Sequence, residues 1–171
     1  MTCIAIAGLP GTGKTHLATA LSLALQTEGC ASLLLHTDVL KVTLRQFGLP
    51  LQGPGYRGDL AAKLAAVRPY LAAQAAKAQR DRYWLVLEGT LALGFQPPEG
   101  LSICLHLGEP ERRQRLARKP PAAQASLAAA DLTAYRRHLQ QHTPATALHL
   151  DAAQPLGAQV QAILAKLPGR S

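Results

Sequence analysis

The chain has 171 residues, 48% of them hydrophobic and 16% charged, a composition suited to one globular domain, residues 1–171, with a buried core; it excludes a disordered chain. No apolar run reaches the ~18 residues of a membrane span and the amino-terminal stretch lacks a signal peptide's basic flank, so a cytoplasmic location with no membrane partner is expected. A formal charge of +8 suits nucleic acid or a small anionic substrate and does not choose between them.

The first element is a short apolar strand over residues 3–7, followed at once by Gly8, Leu9, Pro10, Gly11, Thr12, Gly13, Lys14 and Thr15. These eight residues fit G-x-x-x-x-G-K-[ST] at every position, and an Ala- and Leu-rich helical stretch follows over residues 16–26. Strand, glycine-rich turn and helix make a phosphate cradle. The glycines let successive backbone N–H groups face one concavity, and the helix adds its unpaired amides and the positive end of its dipole. Lys14 then reaches the β- and γ-phosphate oxygens of a bound polyphosphate, and the Thr15 hydroxyl ligates the bridging Mg²⁺.

Residues 32–35 read as a second buried strand, closed by His36, Thr37 and Asp38. Ligands of open parallel sheets bind beyond the carboxyl ends of the strands, which makes Asp38 a candidate catalytic base; its plainer reading is the N-cap of a helix over residues 39–47. Residues 48–58 are full of turn formers and read as a mobile substrate loop. Asp59 can cap a helix to residue 67, with Pro69 either kinking it or opening a second helix to about residue 79. Lys41, Arg45, Arg57 and Arg68 bracket this region. Each alone reads as a solvated charge, and together they point to an anionic acceptor.

Residues 83–87 form the third strand, and Glu88 follows it as a Mg²⁺ ligand, an acceptor-binding group or a structural carboxylate. A fourth strand spans residues 101–107. Residues 110–119 make a short basic helix stopped by Pro120 and Pro121, the core of a lid at about 109–125. Arg115 and Arg118 share one face of it, while Arg112 and Arg113 point elsewhere. The pair can stabilise a transferring phosphoryl group or form a solvated face. A nucleic-acid patch is weakened by the lack of interleaved aromatics. A helix over 127–140, a strand over 147–151 and a closing helix over 155–167 complete the chain. Cys3, Cys30 and Cys104 show neither a disulfide framework nor a zinc pattern and read as core thiols; His138 and His142 read as surface residues.

Strands alternating with helices give a doubly wound α/β fold, here a three-layer α/β/α phosphate-loop NTPase with five parallel strands in the order 2-3-1-4-5. The residues resemble the small phosphate-loop kinases that group with polynucleotide kinase, chloramphenicol phosphotransferase, zeta toxin, gluconate kinase and 2-phosphoglycerate kinase. The resemblance spans nearly the whole chain. It rests on residues 8–15, on Thr37-Asp38 followed by basic residues, on Leu87-Glu88-Gly89-Thr90, on Arg115-Leu116-Ala117-Arg118 and on Leu150-Asp151. It implies an ATP- and Mg²⁺-dependent phosphotransferase acting on an alcohol group, with Asp38 as the base and Arg115 and Arg118 as the lid pair. Asp151 and the loop after it match the place where relatives hold adenine. Many relatives carry Arg three positions after the base; this chain has Lys41 there, with Arg45 as the alternative clamp.

The expected acceptor is a small, anionic hydroxyl compound. A polynucleotide 5′-hydroxyl kinase and a non-catalytic ATP-binding module are the alternatives. A guanine-reading Asn-Lys-x-Asp loop is excluded, because the chain contains no Asn.

Overall fold

The computed structural model describes residues 2–46, 48, 60–121, 124 and 132–168. Five strands, β1 (Cys3–Gly8), β2 (Ser32–His36), β3 (Trp84–Glu88), β4 (Leu101–His106) and β5 (Leu148–Asp151), form one sheet in the order β2-β3-β1-β4-β5. Every pairing is parallel, as the alternation of strands and helices predicts. Six α-helices are present among the described residues: α1 (Lys14–Thr27), α2 (Thr37–Gln46), α3 (Leu60–Asp81), α4 (Glu109–Ala117), α5 (Leu132–His142) and α6 (Leu156–Leu164). None is long and apolar enough to cross a membrane.

The central strands are apolar on both sides because both faces of a parallel sheet are covered. In β1, Cys3 and Ala5 pack towards α2, α3 and α5, while Ile4 and Ile6 pack towards α1 and α6. The first core contains Leu44, Leu64, Leu71 and Tyr135, and the second contains Leu17, Leu21, Val160 and Ile163. Burying each such aliphatic side chain contributes ~1.5–3 kcal/mol, so the three-layer packing fixes the sheet against which the loops are set.

Two local readings change. Pro69 does not open a second helix: α3 runs unbroken through it. Pro69 and Ala65, whose carbonyl loses its helical donor, both lie on the exposed side, where water can bond the freed oxygen. The second change is at Asp38. Helix α2 begins at Thr37, so Asp38 lies inside its first turn and is not its N-cap. All of the sequence-predicted substrate loop at 48–58 except Gly48, with Arg57, and the capping Asp59 lie outside the described residues, as does the start of the expected 127–140 helix.

Candidate active site

The carboxyl ends of β1, β2 and β3 bring three loops to one side of the sheet. After β1 the chain turns through Gly8 to Gly13 into α1. Gly11 has φ +86°, and a Cβ there would lie 2.8 Å from the Leu116 side chain of α4, so both backbone sign and space demand glycine. The Thr12 hydroxyl donates to the Leu9 carbonyl at 2.8 Å, and the Tyr135 hydroxyl donates to the Gly8 carbonyl at 3.1 Å from the opposite side. The turn is thus held from within and from α5.

Lys14, the first residue of α1, is buried, and its ammonium donates to the Leu9 carbonyl at 3.1 Å. Burial lowers its pKa from 10.5 to about 8; Glu88 and Asp38 oppose the shift, and Lys119 adds to it. Thr15 beside it places its hydroxyl 3.3 Å from Glu88 Oε1.

Glu88 ends β3 in register with His36 at the end of β2. His36 Nδ1 lies 2.6 Å from the same Oε1, so the buried carboxylate is fixed between a ring nitrogen and a hydroxyl. Gly89 follows at φ +115°, where a Cβ would sit 2.5 Å from Thr37 Oγ1. That hydroxyl accepts the Leu91 N–H at 3.1 Å, which ties the start of α2 to the chain after β3. Asp38 and Glu88 are therefore held on adjoining backbone segments.

A cavity of about 720 Å³ is lined by Lys14, Thr15, Asp38, Glu88, Arg115 and Arg118, together with backbone from Pro10 to Gly13. That volume lies within the usual range for small-ligand sites. Its other wall is Ala152, Gln154, Leu156 and Gln159, from the end of β5 and the start of α6. Arg115 spans the cavity edge: Nη2 donates to the Ala152 carbonyl at 3.0 Å and to Glu111 at 2.6 Å, while Nη1 reaches the Thr12 carbonyl at 3.5 Å.

Arg112, one turn earlier, is almost fully buried; it donates to the Pro10 carbonyl at 3.1 Å and makes a two-point contact with Glu109 at 2.8 and 3.0 Å. Glu109 also accepts from Arg113 and Arg136, and these guanidinium bonds, Arg112 first, hold its carboxyl down at about 2.

No protein-family model and no curated protein matches the sequence. Solved structures do match. A sugar kinase from Janibacter sp. HTCC2649 has a TM-score of 0.64 at 18% identity, over 96% of this chain and 93% of that one. A gluconokinase from Sinorhizobium meliloti 1021 gives 0.57 at 19% identity, over 96% and 89%. The APS kinase of Mycobacterium tuberculosis, in complex with AMPPNP and APS, gives 0.63 at 14% identity, over 96% and 95%.

The fold is that of the small phosphate-loop kinases.

On this kinase fold the cavity gathers Lys14, Thr15, Asp38, Glu88, Arg115 and Arg118 from positions spread over more than half the chain. It does not gather all the sequence candidates. Arg45 is exposed in the last turn of α2, two turns from Asp38. Lys41 is half-buried one turn from Asp38, and burial and the nearby Lys63 both push its pKa down. Asp151 is exposed and accepts the Ala153 N–H at 2.9 Å; it borders a second, smaller cavity, while Ala152 and Gln154 border the large one. Arg68 lines a separate hollow with Phe95 and His142.

Three residues that sequence reasoning passed over act on the site or on the candidates around it. His36 reaches Glu88 through cross-strand register, which a single sequence does not display. Lys63 is a buried cation of α3 whose charge acts on Lys41; an Ala-rich helix face gave no reason to single it out. Arg112 supports the cradle from behind, and the only hint was the Glu three positions before it.

Proposed function

We propose that this protein is an ATP-dependent kinase that transfers the γ-phosphate to a hydroxyl of a small, anionic molecule. The carrying observation is the single cavity that faces Lys14, Thr15, Asp38, Glu88, Arg115 and Arg118 towards one space. An intact phosphate loop accounts for nucleotide binding alone; a carboxylate across from it, within electrostatic reach of Lys14, adds the base that transfer needs. The bound AMPPNP and APS of the similar M. tuberculosis kinase support a triphosphate donor with an anionic acceptor.

Backbone amides from Gly11 to Thr15 cradle the phosphates and Lys14 neutralises the β- and γ-oxygens. The Thr15 hydroxyl and the Glu88 carboxylate, 3.3 Å apart, are a hard-oxygen pair suited to Mg²⁺, and they are the residues that would hold it. When bound, Mg²⁺ supplies charge neutralisation between the phosphates. His36 fixes the orientation of Glu88 and is a positioning residue. Asp38 orients the acceptor hydroxyl and takes its proton as the oxygen attacks phosphorus in line with the leaving β-phosphate oxygen. Arg115 and Arg118 offset the charge that spreads over the γ-oxygens.

Lys41, Arg45 and Arg57 form the acceptor clamp beside the 48–58 loop, and Lys63, whose charge acts on Lys41, adds to the positive field there. Residues 109–125 act as the lid that keeps water from the γ-phosphate. The docking of α4 on the phosphate loop through Arg112 and Arg115 supports its role in closing the site.

The test is a screen for ATP-dependent phosphate gain across phosphorylated acids, sugars, sugar acids, nucleosides and 5′-hydroxyl oligonucleotides, read by mass. Gain on a small hydroxyl compound bearing an acidic group is the expected result. Transfer only to oligonucleotides, or ATP hydrolysis with no acceptor gain, overturns the proposal.

A further inference from the structure

Among the described residues, a second set of ligand-type side chains lies on strands β4 and β5, apart from the phosphate-binding groups. Cys104 and His106 are two residues apart on β4 and so face the same side of the sheet. His149 is the register partner of Cys104, and Asp151 is the register partner of His106. Two neighbouring parallel strands thereby set Cys, His, His and Asp at the corners of one rectangle on the side covered by α3 and α5. The sulfur of Cys104 and a ring nitrogen from each histidine all lie within 4.8 Å of one another. The two rings are stacked, with centroids 5.0 Å apart and planes 15° from parallel, and His106 Nε2 lies 2.7 Å from His149 Nδ1.

We propose that Cys104 Sγ, His106 Nε2 and His149 Nδ1 form a binding site for a transition-metal ion of the zinc class, with the fourth coordination position left to water on the side of Asp151.

The donor set decides the class of ion. One thiolate and two imidazoles suit zinc and its chemical neighbours and are poor ligands for Mg²⁺ or Ca²⁺. The nitrogen pair decides the place. Facing nitrogens 2.7 Å apart share a single proton, and a cation can stand where that proton stands, accepting a lone pair from each ring. Tetrahedral zinc with bonds near ~2.0 Å to nitrogen needs the two atoms at roughly 3.3 Å, so the rings must part by about half an ångström. Both rings are exposed and β5 is an edge strand of the sheet, so that adjustment meets little packing resistance. Binding is balanced by release of the Cys104 thiol proton to solvent as the sulfur–metal bond forms, while the proton shared by the two rings moves, by exchange with solvent, to the other nitrogen of the ring that donated it. The hollow beside the cluster, about 550 Å³, also touches Leu9 and Thr12 of the phosphate loop. An ion there would tie β5 to β4 beneath the loop that carries Ala152, whose carbonyl Arg115 contacts.

The proposal does not depend on the kinase reading, and its test uses the nucleotide-free full chain with Co²⁺ as a spectroscopic probe. One equivalent should bind, giving a thiolate-to-cobalt charge-transfer band and the strong visible bands of a tetrahedral site, both removed by added Zn²⁺. The charge-transfer band should be absent in Cys104→Ser, and affinity should fall at least tenfold in His149→Ala. Should Cys104→Ser fold poorly, His106→Ala and His149→Ala, each on an exposed ring, carry the comparison. No thiolate band in the wild type, an unchanged band in Cys104→Ser, or equal affinity in both histidine variants and the wild type overturns the proposal.

Discussion

Binding of ATP at pH 8 should draw about half a proton from solvent, and the origin of that proton uptake is Lys14. Without nucleotide the amine is buried against the Leu9 carbonyl with a pKa near 8, lowered mainly by burial. Triphosphate brings several negative charges into contact with it and returns the protonated form to favour. Before binding, the neutral fraction is about one tenth at pH 7, one half at pH 8 and nine tenths at pH 9, and the uptake per ATP follows the same course. Because the bound state holds the extra proton, ATP affinity should weaken as pH rises above about 8. Isothermal titration calorimetry in buffers of different ionisation enthalpy reads the proton number as the slope of observed heat against buffer heat. Lys14→Arg keeps its charge across this range and should flatten the slope at pH 8 and 9. Tight ATP binding by the wild type with zero slope at both pH values would refute the reasoning.

Glu109→Gln leaves the buried Arg112 guanidinium without its carboxylate. With Glu109 itself 35% exposed, the loss in urea-unfolding stability at pH 7 should be about 1–3 kcal/mol. Its carboxyl is depressed from 4.5 to about 2 in the fold, so the contribution is complete above pH 4.5 and fades as pH falls towards 2; a wild-type-to-variant gap that stays constant across that window contradicts the assignment. Arg115→Ala and Arg118→Ala should each slow phosphoryl transfer by roughly 10–10³-fold while changing ATP affinity far less, and unchanged rates in both would remove them from the mechanism. Glu88→Gln should raise the Mg²⁺ concentration needed for half-maximal rate, with His36→Ala shifting it in the same direction but less. An unaltered Mg²⁺ dependence in Glu88→Gln takes that carboxylate off the metal.

The parts of this fold that were readable in the sequence are those written in local pattern. The phosphate loop carries its own glycines and lysine, the strands are short apolar runs, and Asp38 and Glu88 were located by the rule that sites form beyond the carboxyl ends of parallel strands. What was not readable depends on pairing between distant segments. His36 meets Glu88 only because β2 and β3 align in register, and Cys104, His106 and His149 come together only because β4 and β5 do. A spacing of 104, 106 and 149 matches no zinc pattern, which is why two strand positions and an isolated histidine read as unrelated. Arg112, which helical spacing only set apart from Arg115 and Arg118, is buried because Glu109 and the Pro10 carbonyl satisfy its donors inside. Pro69 was read from its own chemistry as kinking a helix or opening a second one, and its exposed position on α3 is a property of packing.

The central claim is that Asp38 serves a transfer reaction and does more than shape the nucleotide site. It is tested most directly by comparing Asp38→Asn with the wild type on the acceptor that the phosphate-gain screen returns, measuring transfer rate and ATP dissociation constant on the same preparations. Asparagine keeps the size and hydrogen-bonding reach of the side chain but cannot take the proton, so kcat should fall by about 10²–10⁴-fold with the ATP dissociation constant within a few-fold of wild type. An Asp38→Asn enzyme that transfers phosphate at the wild-type rate contradicts the account.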